Sequence, residues 1–261
     1  MRHLLIILSL VSLVGSGCEE GVLTRDEARS ALNETSLSTQ VYGLATLVAS
    51  SLQSQQASTE EELASDLRSW WAQQLDCGTV AGEGTGVSVV FDEQGCDWLQ
   101  RTWTGEIALE VTGTSAQQHQ LSGTFTQVST GILAVSGSVS VTWSREANTG
   151  TIVHSLTWSD GTNGRVSEGE CVLTLEEDGG VVTLNGERSW DGDTGPWTLT
   201  LEGTAVRGAD PVPETGRYKV ESPVAGPLDL DFQRGGEDTL SVSVTGMGQA
   251  YSFTVVTPKG P

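Results

Sequence analysis

The residues that could do chemistry are few and scattered. Beyond His3, the histidines are His119 and His154. Nucleophilic hydrolysis needs a nucleophile, a base and an orienting group brought together. The chain has no G-x-S-x-G elbow and no H-E-x-x-H pattern to assemble them. His154 shares the alternation of Ile152, Leu156 and Trp158, which reads as a core or sheet-edge position. His119 follows the polar stretch Ser115-Ala116-Gln117-Gln118 and reads as solvated. A glycosidase needs two carboxylates, but among 34 acidic residues that requirement selects nothing. No catalytic residue is assigned.

Asp191-Gly192-Asp193-Thr194-Gly195 has the D-x-D-x-G form of a calcium loop. Position 5 is a glycine, and the acid at position 12, Glu202, follows a strand-like run from Trp197 to Leu201 rather than a helix. A tight polar hairpin accounts for the same residues, so no metal is assigned. No cofactor motif is present either. Trp143, Trp158, Trp190 and Trp197 continue apolar alternations and read as core. Trp98 and Trp103 do not, because Gln100 and Arg101 break the pattern around them. They are the candidate ligand-binding residues.

Cys77 and Cys96 flank the segment from Gly78 to Gly95, which reads as a strand between turns. A disulfide between them closes a loop of about 20 residues, for which chain entropy gives roughly 3 kcal/mol. Cys171 alternates with Leu173 and Leu175 and reads as a buried, inert thiol. Zinc is not expected, since no two cysteines are C-x₂₋₄-C and neither histidine clusters with them.

The remaining pattern supplies the elements that must position these side chains. Thr24-Arg25-Asp26-Glu27 is a capping box, after which Leu37, Val41, Leu44, Val48 and Leu52 recur at helical spacing. Thr59 to Glu62 repeats the signal, with Leu63, Leu67, Trp70 and Gln74/Leu75 behind it. The Ser/Gln run from Ser50 to Ser58 lies between as a loop. From Val87 the period changes to two. Asp178-Gly179 is a hairpin turn candidate that sets Leu175 against Val182 and Leu173 against Leu184. The next turn, near Gly192 to Gly195, pairs Trp190 with Trp197 and Gly186 with Leu201, with no adjustment of parity. Upstream, Val139, Val141 and Trp143 oppose Ile152, His154, Leu156 and Trp158 across Ala147-Asn148. Such strands exceed the usual five or six residues.

The fold expected is therefore mainly β: a long-stranded antiparallel meander curled into a roll or open barrel, preceded by two N-terminal helices. The β domain runs over 77–258, with a break near 208–216 that leaves two β modules as an alternative. Residues 18–76 form the anchor segment and helical hairpin. Residues 1–17 read as a signal peptide: Arg2 near the start, an apolar run from Leu4 to Val14, then Gly15-Ser16-Gly17. That run is too short to span a bilayer.

Gly15-Ser16-Gly17-Cys18 resembles the lipobox of bacterial lipoproteins, with Gly15 where that family carries Leu. The resemblance implies cleavage before Cys18, acylation of its thiol, and attachment to the membrane through acyl chains in the cell envelope. An ordinary secretory signal with Cys18 as a thiol is the alternative. From Cys77 onward the Gly/Trp-punctuated meander is similar to uncharacterised β-rich bacterial lipoproteins. Helices followed by a meander also resemble the order in periplasmic lipoprotein carriers, whose incomplete barrel holds helices over an apolar cavity. A net charge of −21 argues against nucleic acid and anionic lipid surfaces as partners, since both carry the same sign. The function expected is non-catalytic binding or scaffolding in the envelope; the alternatives are a carrier or sensor of an apolar ligand, or a carbohydrate-binding module. No protein or glycan partner is readable.

Overall fold

The computed structural model describes residues 21–98, 101–131, 133–161, 164–175, 182–207, 210 and 212–257. Cys18, the leader 1–17 and the Asp178-Gly179 turn lie outside the described residues. The helix signals work locally as expected. The Glu27 amide donates to Thr24 Oγ1 at 3.3 Å while Thr24 N–H donates to Glu27 Oε2 at 2.8 Å, and α1 runs over Arg25–Ser50. α2 spans Glu60–Gln74; Glu62 N–H donates to Thr59 Oγ1, and the returning bond reaches Ser58 N–H rather than Thr59. Its buried stripe is Leu63, Ala64, Leu67 and Trp71. Steps of four from Leu63 arrive at Trp71, so Trp70 sits on the flank of the stripe instead of within it.

Among the described residues thirteen strands follow: β1 Thr79–Ala81, β2 Gly86–Trp98, β3 Arg101–Thr114, β4 Gln118–Ser129, β5 Ala134–Ser144, β6 Thr149–Ser159, β7 Gly164–Leu175, β8 Val182–Gly192, β9 Gly195–Val206, β10 Thr215–Ser222, β11 Gly226–Gly236, β12 Thr239–Gly246 and β13 Gln249–Val256. Each pairs antiparallel with its sequence neighbours in one open sheet, and β1 does not meet β13. The pairing runs from β9 to β10 straight across the 208–216 interruption, so the sheet is continuous there. Leu175↔Val182, Leu173↔Leu184, Trp190↔Trp197 and Gly186↔Leu201 are paired as their parity requires. One adjustment does occur: Gly186 faces Leu201 while Leu184 faces Thr204, which places a bulge on β9.

The sheet curls around α1. Thr39 bonds Arg188 on β8 and Tyr218 on β10, while Tyr42, one turn later, packs on His154 of β6. β6 and β10 are four strand spacings apart, about 19 Å along a flat sheet. One helical turn reaches both only when the sheet bends round it. α1 therefore lies in a trough, and the concave face, α1 and α2 share one core. The Cys77–Cys96 disulfide joins the chain entering β1 to β2, with Cα atoms 5.4 Å apart, and Cys171 is a free, buried thiol.

Candidate functional site

The site lies where α1 faces both walls of the trough. On one wall, a bulge between Phe91 and Cys96 resets β2 against β3, so that Cys96 pairs with Trp103 and Trp98 with Arg101. That bulge puts Trp98 out of step with Val87, Val89 and Phe91, whereas Trp103 keeps the inward parity of Ile107, Leu109 and Val111 on β3. The two rings lie 5.9 Å apart, and Trp103 Nε1 donates to the Trp98 carbonyl at 2.8 Å. Phe91 stacks on both, and Trp71 packs against Trp98 at 5.7 Å. Trp103 is buried and Trp98 half-buried, so neither forms part of an exposed aromatic strip.

Both tryptophans instead line a partly enclosed cavity of about 310 Å³. α1 contributes Tyr42, Gly43 and Leu47, α2 contributes Trp70, and the far wall is Val182, Leu184 and Val206. Arg101, Arg207 and Asp210 add polar groups. Asp210 is held by Arg234, which also donates to Glu214 at 2.9 Å; Arg207 pairs with the same carboxylate at 2.7 Å. These ion pairs fasten the β9–β10 connection beside the cavity. Burial raises the Asp210 carboxyl above the usual range, against the opposing pull of Arg234. A cavity of this size and mixed lining fits the lower end of small-molecule sites, which run from about 300 to 1,000 Å³.

Behind the α1 side of this cavity is a second group of polar residues. Arg188 is 1% exposed. Its Nη2 donates to Thr39 Oγ1 at 3.0 Å, and its guanidinium sits 5.0 Å from the Tyr42 ring centroid and 5.9 Å from that of Tyr218. Arg188 is paired across the sheet with Gly169, and Gly169 with His154. A Cβ on Gly169 would lie 2.4 Å from the Glu187 carbonyl oxygen and 2.7 Å from Arg188 Cβ, so only a glycine lets β7 close up on β8 at Arg188. Burial pushes the Tyr42, Tyr218 and Cys171 groups up, and it drives the His154 imidazole down to about 4. At neutral pH all four are uncharged.

No known family model, curated protein or solved structure matches this chain. The functional reading therefore rests on the geometry of the site.

The two histidines lie apart, His154 on β6 and His119 on β4. His154 Nε2 meets Ser167 Oγ at 3.3 Å, and both side chains are buried. His119 is not solvated as its polar neighbours suggested. It is fully buried, with Nδ1 3.1 Å from Thr114 Oγ1 and Nε2 3.4 Å from the Gln55 carbonyl, and burial lowers its pKa. Parity explains this, because His119 shares the inward face of Leu121 and Phe125 on β4. In the 191–195 turn, the Asp193 carboxylate lies 3.4 Å from Arg165 Nη2, an ion pair rather than a free ligand. Among the described residues, no group of three metal-binding side chains converges.

Proposed function

We propose that the chain is a non-catalytic, lipid-anchored protein of the cell envelope that holds an apolar ligand between α1 and its curled sheet. The observation that carries the binding half is the cavity walled by Trp70, Trp98, Trp103, Tyr42, Leu47 and Leu184. Aromatic and aliphatic walls with a few polar groups at one side are what a small amphipathic molecule requires. The inward placement of Trp98 and Trp103 favours an enclosed ligand over a glycan laid on an exposed platform. The anchor half rests on the lipobox-like Gly15-Ser16-Gly17-Cys18 and the apolar run before it. With a net charge of −21, attachment to anionic membrane by surface charge is unfavourable, and acyl chains supply it instead.

Peptide and native mass spectrometry of the protein purified from its own membranes test both halves. The expected result is acyl mass on the Cys18 peptide and one apolar adduct per chain. A Cys18 peptide of unmodified mass contradicts the anchor. A bare chain that also fails to take up a neutral apolar fluorophore contradicts the binding.

A further inference from the structure

Among the described residues two arginines are buried on the concave face, and the protein treats them in opposite ways. Arg165, on β7, is 4% exposed and meets three carboxylates: Glu34 at 3.1 Å, Asp160 at 3.3 Å and Asp193 at 3.4 Å. It also stacks on Trp158, with 4.8 Å to the ring centroid. Arg188, more deeply buried, meets no carboxylate among the described residues, and its Nε and Nη1 donate to nothing there. A guanidinium stays protonated inside a protein. A buried charge is expensive unless it is paired and its hydrogen bonds are met. In a chain with 34 acidic residues, an ion partner for Arg188 was easily available, as Arg165 demonstrates.

The surroundings supply no counter-charge. Tyr42, Tyr218 and Cys171 are raised by burial and stay protonated, and His154 is neutral. They do supply hydrogen-bonding groups. Ser38 Oγ, one turn before Tyr42 on α1, is buried without a partner among the described residues, and the Tyr42 hydroxyl lies against the Cys171 thiol. Thr39 and Tyr42 also line the apolar cavity, so Arg188 stands one side chain behind its wall.

From this arrangement we infer that the cavity ligand is a single-chain amphiphile with a carboxylate head, its tail against Trp98 and Trp103 and its head ion-paired with Arg188 past Tyr42. The inference rests on the cavity-binding reading above and gives the ligand a chemical class. The head would supply the missing negative charge and accept from Nε or Nη1. The cavity volume suits one chain and not the several chains of a membrane lipid. The acidic exterior does not forbid an anionic ligand, because surface charge is screened beyond about 8 Å at physiological salt. The guanidinium acts at contact, out of water.

Calorimetric titration with dodecanoate and dodecanol decides the matter. The sample is the full-length protein carrying Cys18→Ser, so that no acyl chain of its own competes, at a pH where the acid is ionised. The expected result is that dodecanoate binds at least tenfold more tightly than the alcohol. Arg188→Met should then bring the acid down to the level of the alcohol and leave alcohol binding unchanged. Equal binding of the two in the Cys18→Ser protein overturns the role of Arg188 while leaving the apolar cavity site standing, and needs no core variant to fold. An acid preference that survives in Arg188→Met overturns it as well. Binding of neither compound overturns the cavity reading and this inference together.

Discussion

Arg188 Nη2 donates to Thr39 Oγ1 at 3.0 Å, so the most buried cation of the sheet is tied to α1 through a neutral hydroxyl rather than a carboxylate. Arg165 is tied to α1 through the Glu34 carboxylate at 3.1 Å. The two arginines should therefore respond oppositely to loss of charge. Arg165→Met takes the cation from Glu34, the least exposed of its three partners, and because all three carboxylates reach solvent the cost falls below that of a fully buried pair, at about 1–3 kcal/mol. Arg188→Met removes an uncompensated charge and fills its space with an apolar chain, so ligand-free stability should change by less than about 1 kcal/mol or rise. Urea denaturation of both variants without ligand checks this; Arg188→Met proving the more damaging of the two contradicts it.

Stability should fall in mild acid. Burial, and secondarily the positive Arg188, hold the His154 imidazole at about 4, below its ordinary 6.5. The unfolded chain therefore takes up the proton first as pH drops. This contribution is complete above 6.5 and is lost as pH falls from there to about 4, where the folded form protonates too. Between pH 7 and pH 5 the loss from His154 is about 2 kcal/mol. His119, lowered mainly by burial, adds in the same sense. The difference in urea midpoint between the two pH values, compared with that of His154→Gln, isolates the His154 share. An equal pH dependence in the variant contradicts the assignment.

The Cys77–Cys96 bridge sits next to the aromatic wall, since Cys96 pairs with Trp103. Its sequence separation of 19 gives about 3 kcal/mol by the chain-entropy argument. The double variant Cys77→Ser, Cys96→Ser should lose about that much stability in denaturant titration. It should also shift the tryptophan emission to the red as Trp98 and Trp103 become wetter. A variant that matches the native protein in both readouts contradicts a structural role for the bridge.

Much of this architecture is written as periodicity. The change from three-and-four spacing to two at Val87 marks the end of the helices, and the parity of Leu173, Leu184, Trp190 and Trp197 sets two hairpins in register. The site was harder to read, for reasons that differ by residue. The bulge between Phe91 and Cys96 hid the face of Trp98, whereas Trp103 shares the parity of Ile107 and Leu109 and was legible as an inward position. Arg188 lies on the same parity as Leu184 and Trp190, and His119 on that of Leu121 and Phe125. Alternation alone places both inside; the polar run before His119 masked this for the histidine, and an arginine seldom occupies an inward position. Tyr42 belongs to the α1 stripe, yet its meeting with β6 and β8 depends on how far the sheet curls, which no local pattern encodes.

The claim that the trough cavity is a binding site is tested most directly at Gly43. This residue lines the cavity from α1, and a Cβ there would meet nothing within 4 Å. Gly43→Phe can fill the cavity from a helix position where glycine itself costs about 1 kcal/mol relative to alanine, so the fold should be no less stable. Titration with a neutral naphthylamine fluorophore, read by energy transfer from tryptophan, should show one saturable site in the native protein. In Gly43→Phe the affinity should drop at least about tenfold, a loss of roughly 1.4 kcal/mol. Equal affinity in the two proteins, or no saturable binding in the native one, contradicts the account.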